Sequence, residues 1–312
     1  MSIQRITIST TNVNWYINSK KIQKYCCFLA DIGKKQYLCS MKHIRIISPS
    51  GAIEPDYISL AKQRLESWGF RVSIGAHAFA QTGRFAGTAE ERLSDINEAL
   101  ADPNIDIILC SRGGYGLQQI IDKIQLPIRA KKEYPLLVGF SDITELHALM
   151  SLHDIPSLHA SMCKALATLP EEAPALQATK KALLGQCESI FPGKKIIGGN
   201  LSVLYGLQGT PYSLNAIIDT CEEPPVLLIE DIAERHYHID RMLNNLRMSG
   251  VLARLGGVIV GQFTDCDDDP KMGCSLQDTI RHIFADYDYP VIWDAPYGHM
   301  DDNMPIFLSL NS

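Results

Sequence analysis

A serine, a glutamate and a histidine, each beside a turn or a strand end, carry the chemistry that this 312-residue sequence could do. Ser141 stands in Gly139-Phe140-Ser141-Asp142-Ile143-Thr144, directly after one apolar run and before another. An open α/β sheet presents its reacting groups at such strand-to-helix junctions. Ile143 replaces the second glycine of a G-x-S-x-G elbow, which disfavours a common α/β-hydrolase. Two readings stand side by side. Ser141 is a nucleophile, or it is a helix N-cap whose first turn gains Asp142 and Glu145 as dipole-complementing acids. Glu230 and Asp231 close the apolar run Val226-Leu227-Leu228-Ile229, where a carboxylate caps the next turn or orients a base. Side chains alternate along a strand, so Asp231 is expected to point away from any site that Glu230 faces. His299 lies in the loop Pro296-Tyr297-Gly298-His299. Hydroxyl, imidazole and carboxylate are the parts of an acyl-transfer triad, whose order along a chain is not fixed.

A fourth stretch, Ser111-Arg112-Gly113-Gly114-Tyr115-Gly116, also follows a buried apolar run. Glycines there let backbone approach a ligand and aim N–H groups at an anion. The spacing fits neither G-x-G-x-x-G nor a P-loop, so nucleotide binding has weak support, and a tight strand-to-helix turn is the plain alternative. The remaining clusters point to no metal. His236 and His238, two apart in a helix, do not share a face. His147, His153 and His159 lack ligand spacing. The run Asp265, Asp267, Asp268, Asp269 lacks the EF-hand glycine and glutamate and reads as a solvated acidic loop.

These residues need a scaffold, and the pattern from Met41 onward supplies one. Ile44, Ile46 and Ile47 form a short β-branched strand ending in the turn Ser48-Pro49-Ser50-Gly51. Ile58, Ala61, Leu65 and Trp68 fall on one helical face, with Gly69 placed to end it. Residues 70–74 read as a strand. Thr88-Ala89-Glu90-Glu91 is a capping-box signature ahead of a helix burying Leu93, Ile96 and Leu100. Residues 105–110 and 136–140 read as buried parallel strands, with a short helix around Ile120, Ile121 and Ile124 between them and another over 143–152. This alternation predicts an α/β fold: an N-terminal open, mostly parallel sheet domain with flanking helices over residues 41–165, carrying Ser141. Residues 166–195 read as a linker. A second, smaller α/β domain over 196–312 carries Glu230 and His299, with strands at 226–229, 258–263 and 291–293. Residues 1–40 show no regular period and read as an upstream extension, with Met41 as the natural start.

Composition narrows the function classes. Formal net charge is −6, without the basic face that a nucleic-acid or anionic-membrane binder needs. No apolar run approaches the roughly 18 residues that span a bilayer, and no secretory signal is seen. The nine cysteines are odd in number and form no C-x-x-C pair, which fits reduced thiols in a cytosolic protein.

Taken together the motifs resemble the LD-carboxypeptidase family, serine peptidases that include murein tetrapeptide carboxypeptidases and microcin C immunity peptidases. The resemblance rests on Phe85-Ala86-Gly87-Thr88 with Glu91-Arg92, the 111–116 glycine turn, Gly139-Phe140-Ser141-Asp142, Gly198-Gly199-Asn200-Leu201, Glu230-Asp231 with Tyr237 and Ile239-Asp240-Arg241, and Gly298-His299. They occur in the family's order. The resemblance implies Ser141 as nucleophile, His299 as general base, Glu230 as its carboxylate, and an oxyanion hole from Asp142, Gly113 and Gly114 N–H groups. It implies a cytoplasmic homodimer that needs no cofactor and acts on a murein peptide. A microcin-type acyl-sulfamoyl nucleotide is the alternative substrate, and a non-catalytic α/β small-molecule binder the alternative class. Arg112 and Arg241 are the candidates for binding a terminal carboxylate. Two departures from the family stand out: residues 1–40 match nothing in it, and the chain stops soon after His299, where relatives usually continue through a further strand.

Overall fold

The computed structural model describes residues 41–186, 190–191 and 193–309, so the expected upstream extension lies outside the described residues. Its larger sheet has six strands in the order β10-β5-β4-β3-β1-β2. The parallel strands are β1 (His43–Ile47), β2 (Arg71–Ile74), β3 (Ile107–Cys110), β4 (Leu136–Gly139) and β5 (Ser157–His159), and β10 (Ile306–Leu308) runs antiparallel at the edge. In β1 the alternation of side chains divides two apolar layers. Ile44 and Ile46 pack with Ile58, Ala61 and Leu65 of α1 (Pro55–Ser67). Ile47 packs with Ile96, Ala99 and Leu100 of α2 (Ala89–Ala101) on the other face. The expected capping box is present: Thr88 Oγ1 accepts the Glu91 N–H and Glu91 Oε2 accepts the Thr88 N–H. The parallel order 2-1-3-4-5 reverses between β1 and β3, and the crevice outside the carboxyl ends of strands at such a point is where open sheets bind ligands.

The second sheet is fully parallel, in the order β6 (Ile196–Asn200), β7 (Val226–Ile232), β8 (Gly257–Thr264), β9 (Val291–Ile292). One face is covered by α6 (Leu201–Gly206), α7 (Leu214–Asp219), α8 (His236–Met248) and α9 (Leu276–Phe284). Leu227, Ile229 and Val258 pack there with Leu204, Leu243 and Ile280. On the other face Ile196, Leu228 and Ile259 pack with Ile306 and Leu308 of β10, so the last strand belongs to one sheet and packs against the other. The helix α3 (Thr144–Leu152), which leaves the Ser141 junction, completes this seam: Lys195 Nζ donates to Ser151 O and Ala148 joins the second core.

Three local expectations change. Much of the stretch read as a linker folds as α4 (Cys163–Thr168) and α5 (Pro174–Leu183), and its Leu166, Leu176, Ala182 and Leu183 are buried beside Ile58 and Leu65. Polar residues and prolines around a one-sided apolar stripe concealed that packing. The helix expected at 120–124 is two 3-10 turns, Leu117–Gln119 and Ile121–Lys123. Strand β10 follows His299 and ties the chain back to β5, so a strand supports the histidine loop from behind.

Candidate active site

Ser141 sits where β4 ends, and its backbone is bent into the left-handed region, with φ at +68°. For a side chain other than glycine that conformation costs about 1 kcal/mol or more. It turns the chain sharply from strand to 3-10 turn (Ser141–Ile143) and then into α3. The N-cap reading fails here: Ile143 occupies the cap of α3 and no side chain bonds it. The Ser141 hydroxyl has no hydrogen-bond partner among the described residues.

The glycine turn after β3 abuts this elbow. A Cβ at Gly113 would lie 2.7 Å from Ser141 Cβ and 3.1 Å from Asp142 N, so only glycine permits the approach. The turn is clamped from several sides. Gly51 N–H donates to Gly113 O, and Ser48 Oγ lies 2.6 Å from Ser111 Oγ. Buried Arg92 donates from Nη1 to Pro49 O and Gly116 O, and from Nη2 to Gln119 Oε1. Asp142 Oδ2 accepts from Ser50 Oγ and from the Leu117 N–H. Burial pushes the Asp142 carboxyl up, against the hydrogen bonds from Ser50 and Leu117 and the charges of Arg92 and Arg84. Glu145, one helical turn on, is also buried; burial and the neighbouring Asp142 push it up to about 8. The loops after β1, β3 and β4 are thereby locked together at the topological crevice.

The Glu230–His299 pair comes from the second sheet. Glu230 is 0% exposed and stands at a register shift between β7 and β8, a bulge of the kind that re-aims a side chain. Its Oε2 lies 2.8 Å from His299 Nδ1. Gly298 makes the approach possible: its φ is +128°, and a Cβ there would come within 3.0 Å of Glu230 Oε2. The loop holding His299 is fixed by Gln262 N–H to Tyr297 O and by Gly298 N–H to Asn303 Oδ1. The His299 ring packs on Phe140, the residue before Ser141, at 4.9 Å between centroids. His159 packs on the same Phe140 ring at 5.6 Å; it is fully buried, and burial pulls it down to about 3, so it stays neutral. Glu230 and His299 thus come together from the second sheet and meet the first at Phe140, the residue before Ser141.

Asp231 points away from His299, as alternation requires, but it is no bland neighbour. It is buried and accepts from Asn200 Nδ2, Ser202 N–H and the Ile232 N–H, and burial pushes its carboxyl up to about 7. Asn200 N–H donates in turn to Thr144 Oγ1 at the start of α3, joining the sheets beside the elbow. Of the two arginines considered for a carboxylate, Arg112 donates from Nη1 to Ala52 O and Arg241 stacks on Tyr237 at 5.5 Å. The contacts of Ser50, Arg92 and Asn303 escaped the sequence reading: Arg92 entered only as part of a motif, and neither a bond from Ser50 to Asp142 nor one within the 298–303 loop leaves a periodic pattern. The 48–51 turn had been visible only as a turn. In the acidic loop, Asp268 and Asp269 accept the Leu276 and Lys271 N–H groups. Among the described residues no group of three His, Cys, Asp or Glu is arranged to hold a metal, and no helix is long and apolar enough to cross a membrane.

Comparison with known proteins adds a family to this geometry. The sequence matches the LD-carboxypeptidase N-terminal domain over residues 44–160 and the LD-carboxypeptidase C-terminal domain over residues 194–311. It is 29% identical to the murein tetrapeptide carboxypeptidase of Pseudomonas aeruginosa, over 83% of this chain and 89% of that one. Its fold superposes on the muramoyltetrapeptide carboxypeptidase of Oxalobacter formigenes with a TM-score of 0.71, at 25% identity, covering 86% and 92% of the two chains. A microcin C7 self-immunity protein solved with aspartyl sulfamoyl adenosine gives a TM-score of 0.72 at 15% identity over 86% and 92%, a likeness of fold alone.

Proposed function

From the chain's membership of the LD-carboxypeptidase family, and hence its standing as a peptidase, we propose that it is a serine carboxypeptidase that releases the terminal D-alanine of murein tetrapeptides during cell-wall recycling. The observation that carries the reading is the pairing of buried Glu230 with half-buried His299, brought from the second sheet against Phe140 at the strained Ser141 elbow of the first. In this reading Ser141 Oγ attacks the carbonyl of the L-residue that precedes D-alanine. His299 takes the hydroxyl proton and then delivers it to the leaving amine. Glu230 holds the His299 Nδ1–H, selects the tautomer and stabilises the imidazolium. The oxyanion develops between the Asp142 N–H, at the start of a 3-10 turn, and the Gly113 and Gly114 N–H groups; each such donor is worth roughly 3 kcal/mol. Water then attacks the acyl-enzyme with His299 again as base.

The reading extends to a homodimer working in the cytoplasm without a metal. Incubation with purified murein tetrapeptide tests the core of it. Free D-alanine should appear, should persist in EDTA, and should vanish with Ser141→Ala while the melting temperature holds. D-Alanine release by Ser141→Ala would remove Ser141 as nucleophile, and loss on chelation with recovery on zinc would replace the triad with a metallopeptidase.

A further inference from the structure

A carboxypeptidase must recognise the free carboxylate of the residue it releases, and the group that does so must stand on the leaving side of the Ser141 elbow. An arginine suits the task, because its planar fork meets a carboxylate bidentately while its face stacks on a ring. Beside the glycine turn two arginines are already engaged. Arg92 is buried, with Nη1 and Nη2 donating to Pro49 O, Gly116 O and Gln119 Oε1. Arg112 donates from Nη1 to Ala52 O.

Arg84 is different. It is exposed, and its guanidinium has no hydrogen bond and no ion pair among the described residues. Yet it is not adrift. Its guanidinium carbon lies 5.7 Å from the centre of the Tyr115 ring. Tyr115 packs at 6.0 Å on Phe85, which lies 5.1 Å beneath the buried Arg92. The backbone is pinned as well: Ala52 N–H donates to Arg84 O, Ala86 N–H to Ser50 O, and Gly51 N–H to Gly113 O. One short loop, residues 50–52, therefore holds both Arg84 and the turn that abuts Ser141. The charge of Arg84 is also felt at Asp142, next to Ser141.

We infer that Arg84, stacked on Tyr115, is the subsite for the terminal carboxylate of the leaving residue, a specificity determinant that places the preceding carbonyl over Ser141. The inference rests on the carboxypeptidase reading above. Stacking restricts the guanidinium before substrate arrives, so less freedom is lost on binding. The aromatic ladder down to buried Arg92 anchors that stack to the same clamp that shapes the glycine turn.

The test compares a murein tetrapeptide with its C-terminal carboxamide. Wild type should prefer the free acid. Arg84→Gln should lower kcat/KM for the acid by roughly 10- to 100-fold, mainly through KM, and leave the carboxamide unchanged, so that the preference collapses. Arg84→Lys should restore part of it, since the charge returns without the fork. Retention of the full acid preference by Arg84→Gln, or its collapse in Arg112→Gln or Arg241→Gln instead, would overturn the inference and leave the carboxypeptidase reading standing. Failure of the wild type to cleave either peptide would overturn that reading, and this inference with it.

Discussion

Two histidine–carboxylate pairs with a buried carboxylate lie among the described residues at nearly the same distance, and their surroundings set them apart. His77 Nδ1 is 2.9 Å from Asp95 Oδ1, just beyond β2, and His299 Nδ1 is 2.8 Å from Glu230 Oε2. Both carboxylates are buried, 3% and 0% exposed. Asp95 uses both oxygens on a single residue, accepting the ring and the backbone N–H of His77, so the pair ties the loop after β2 to α2. Glu230, at the bulge of β7, meets a histidine from the loop after β9 and has an oxygen, Oε1, with no hydrogen-bond partner among the described residues. Beyond the His299 ring stands Phe140 and the strained serine. A histidine–carboxylate distance is therefore no signature of catalysis. What sets the Glu230–His299 pair apart is its assembly from distant segments next to Phe140 and the Ser141 elbow.

The largest effect that separates the two pairs is expected from Glu230→Gln. It keeps the size but removes the charge that stabilises the imidazolium, and it can hold the wrong tautomer. Turnover should fall by roughly three to four orders of magnitude with the fold intact, by analogy with the serine-protease aspartate. Steady-state kinetics of D-alanine release read this directly; near-normal turnover would place Glu230 beside His77's partner as a structural carboxylate.

Gly113→Ala is next in size. Its Cβ would come within 2.7 Å of Ser141 Cβ and 3.1 Å of Asp142 N, forcing the turn away from the elbow. Loss of one aligned oxyanion donor predicts a drop in kcat of roughly 10²- to 10³-fold, with KM moving less. An unchanged kcat would show that the glycine turn is scaffolding and that its N–H groups do not meet the oxyanion.

The sequence made the chemistry of this site legible more readily than its support. Ser141, Glu230 and His299 could be picked out because they sit at strand ends and a glycine loop and because their motifs resemble a known family. The doubly wound core was readable because β1, β3 and β4 are apolar on both faces. What escaped were elements whose stability is tertiary. β5 and β10 are three residues each, too short to show a period. Asn303, Ser50 and Arg92 act across 5, 92 and up to 43 residues of sequence. Alternation foresaw the direction of Asp231 but not its partners Asn200 and Ser202, because direction along a strand says nothing about what waits on the other face.

Glu145 gives a smaller effect, on stability. Its carboxyl, pushed up to about 8 by burial and by Asp142, stays protonated in the folded chain while the unfolded chain ionises near the ordinary 4.5. The folded state thus holds the extra proton, and stability falls as pH rises between about 4.5 and 8. Glu145→Gln should remove that loss, raising stability by about 2 kcal/mol at pH 8.5 and changing it little at pH 5. Thermal melts at the two pH values check it, and an equal shift at both would mean that ionisation of Glu145 is not the cause.

The smallest effect on turnover belongs to the other pair, and it is the one that makes the comparison sharp. Asp95→Asn should leave D-alanine release within about threefold, since His77 connects to the glycine turn through its neighbour Ala78, whose O accepts from Ser48 Oγ beside Ser111 Oγ, and not by direct packing as His299 does on Phe140. Its effect should lie in stability and carry a pH signature. The hydrogen bond that the His77 ring donates to Asp95 raises His77 above its ordinary 6.5. A raised histidine stabilises the fold fully below the unfolded value and loses that contribution as pH climbs through the folded one. Wild type should therefore melt above Asp95→Asn by most near pH 5.5, and the gap should narrow toward pH 8.5. A residual gap at high pH is expected, because Asp95 also accepts the His77 backbone N–H, which does not titrate. A gap that stays constant with pH would show that the imidazole contributes nothing through its charge. A tenfold fall in turnover would show that the two pairs are coupled, and the contrast between a closed structural pair and an assembled catalytic one would fail.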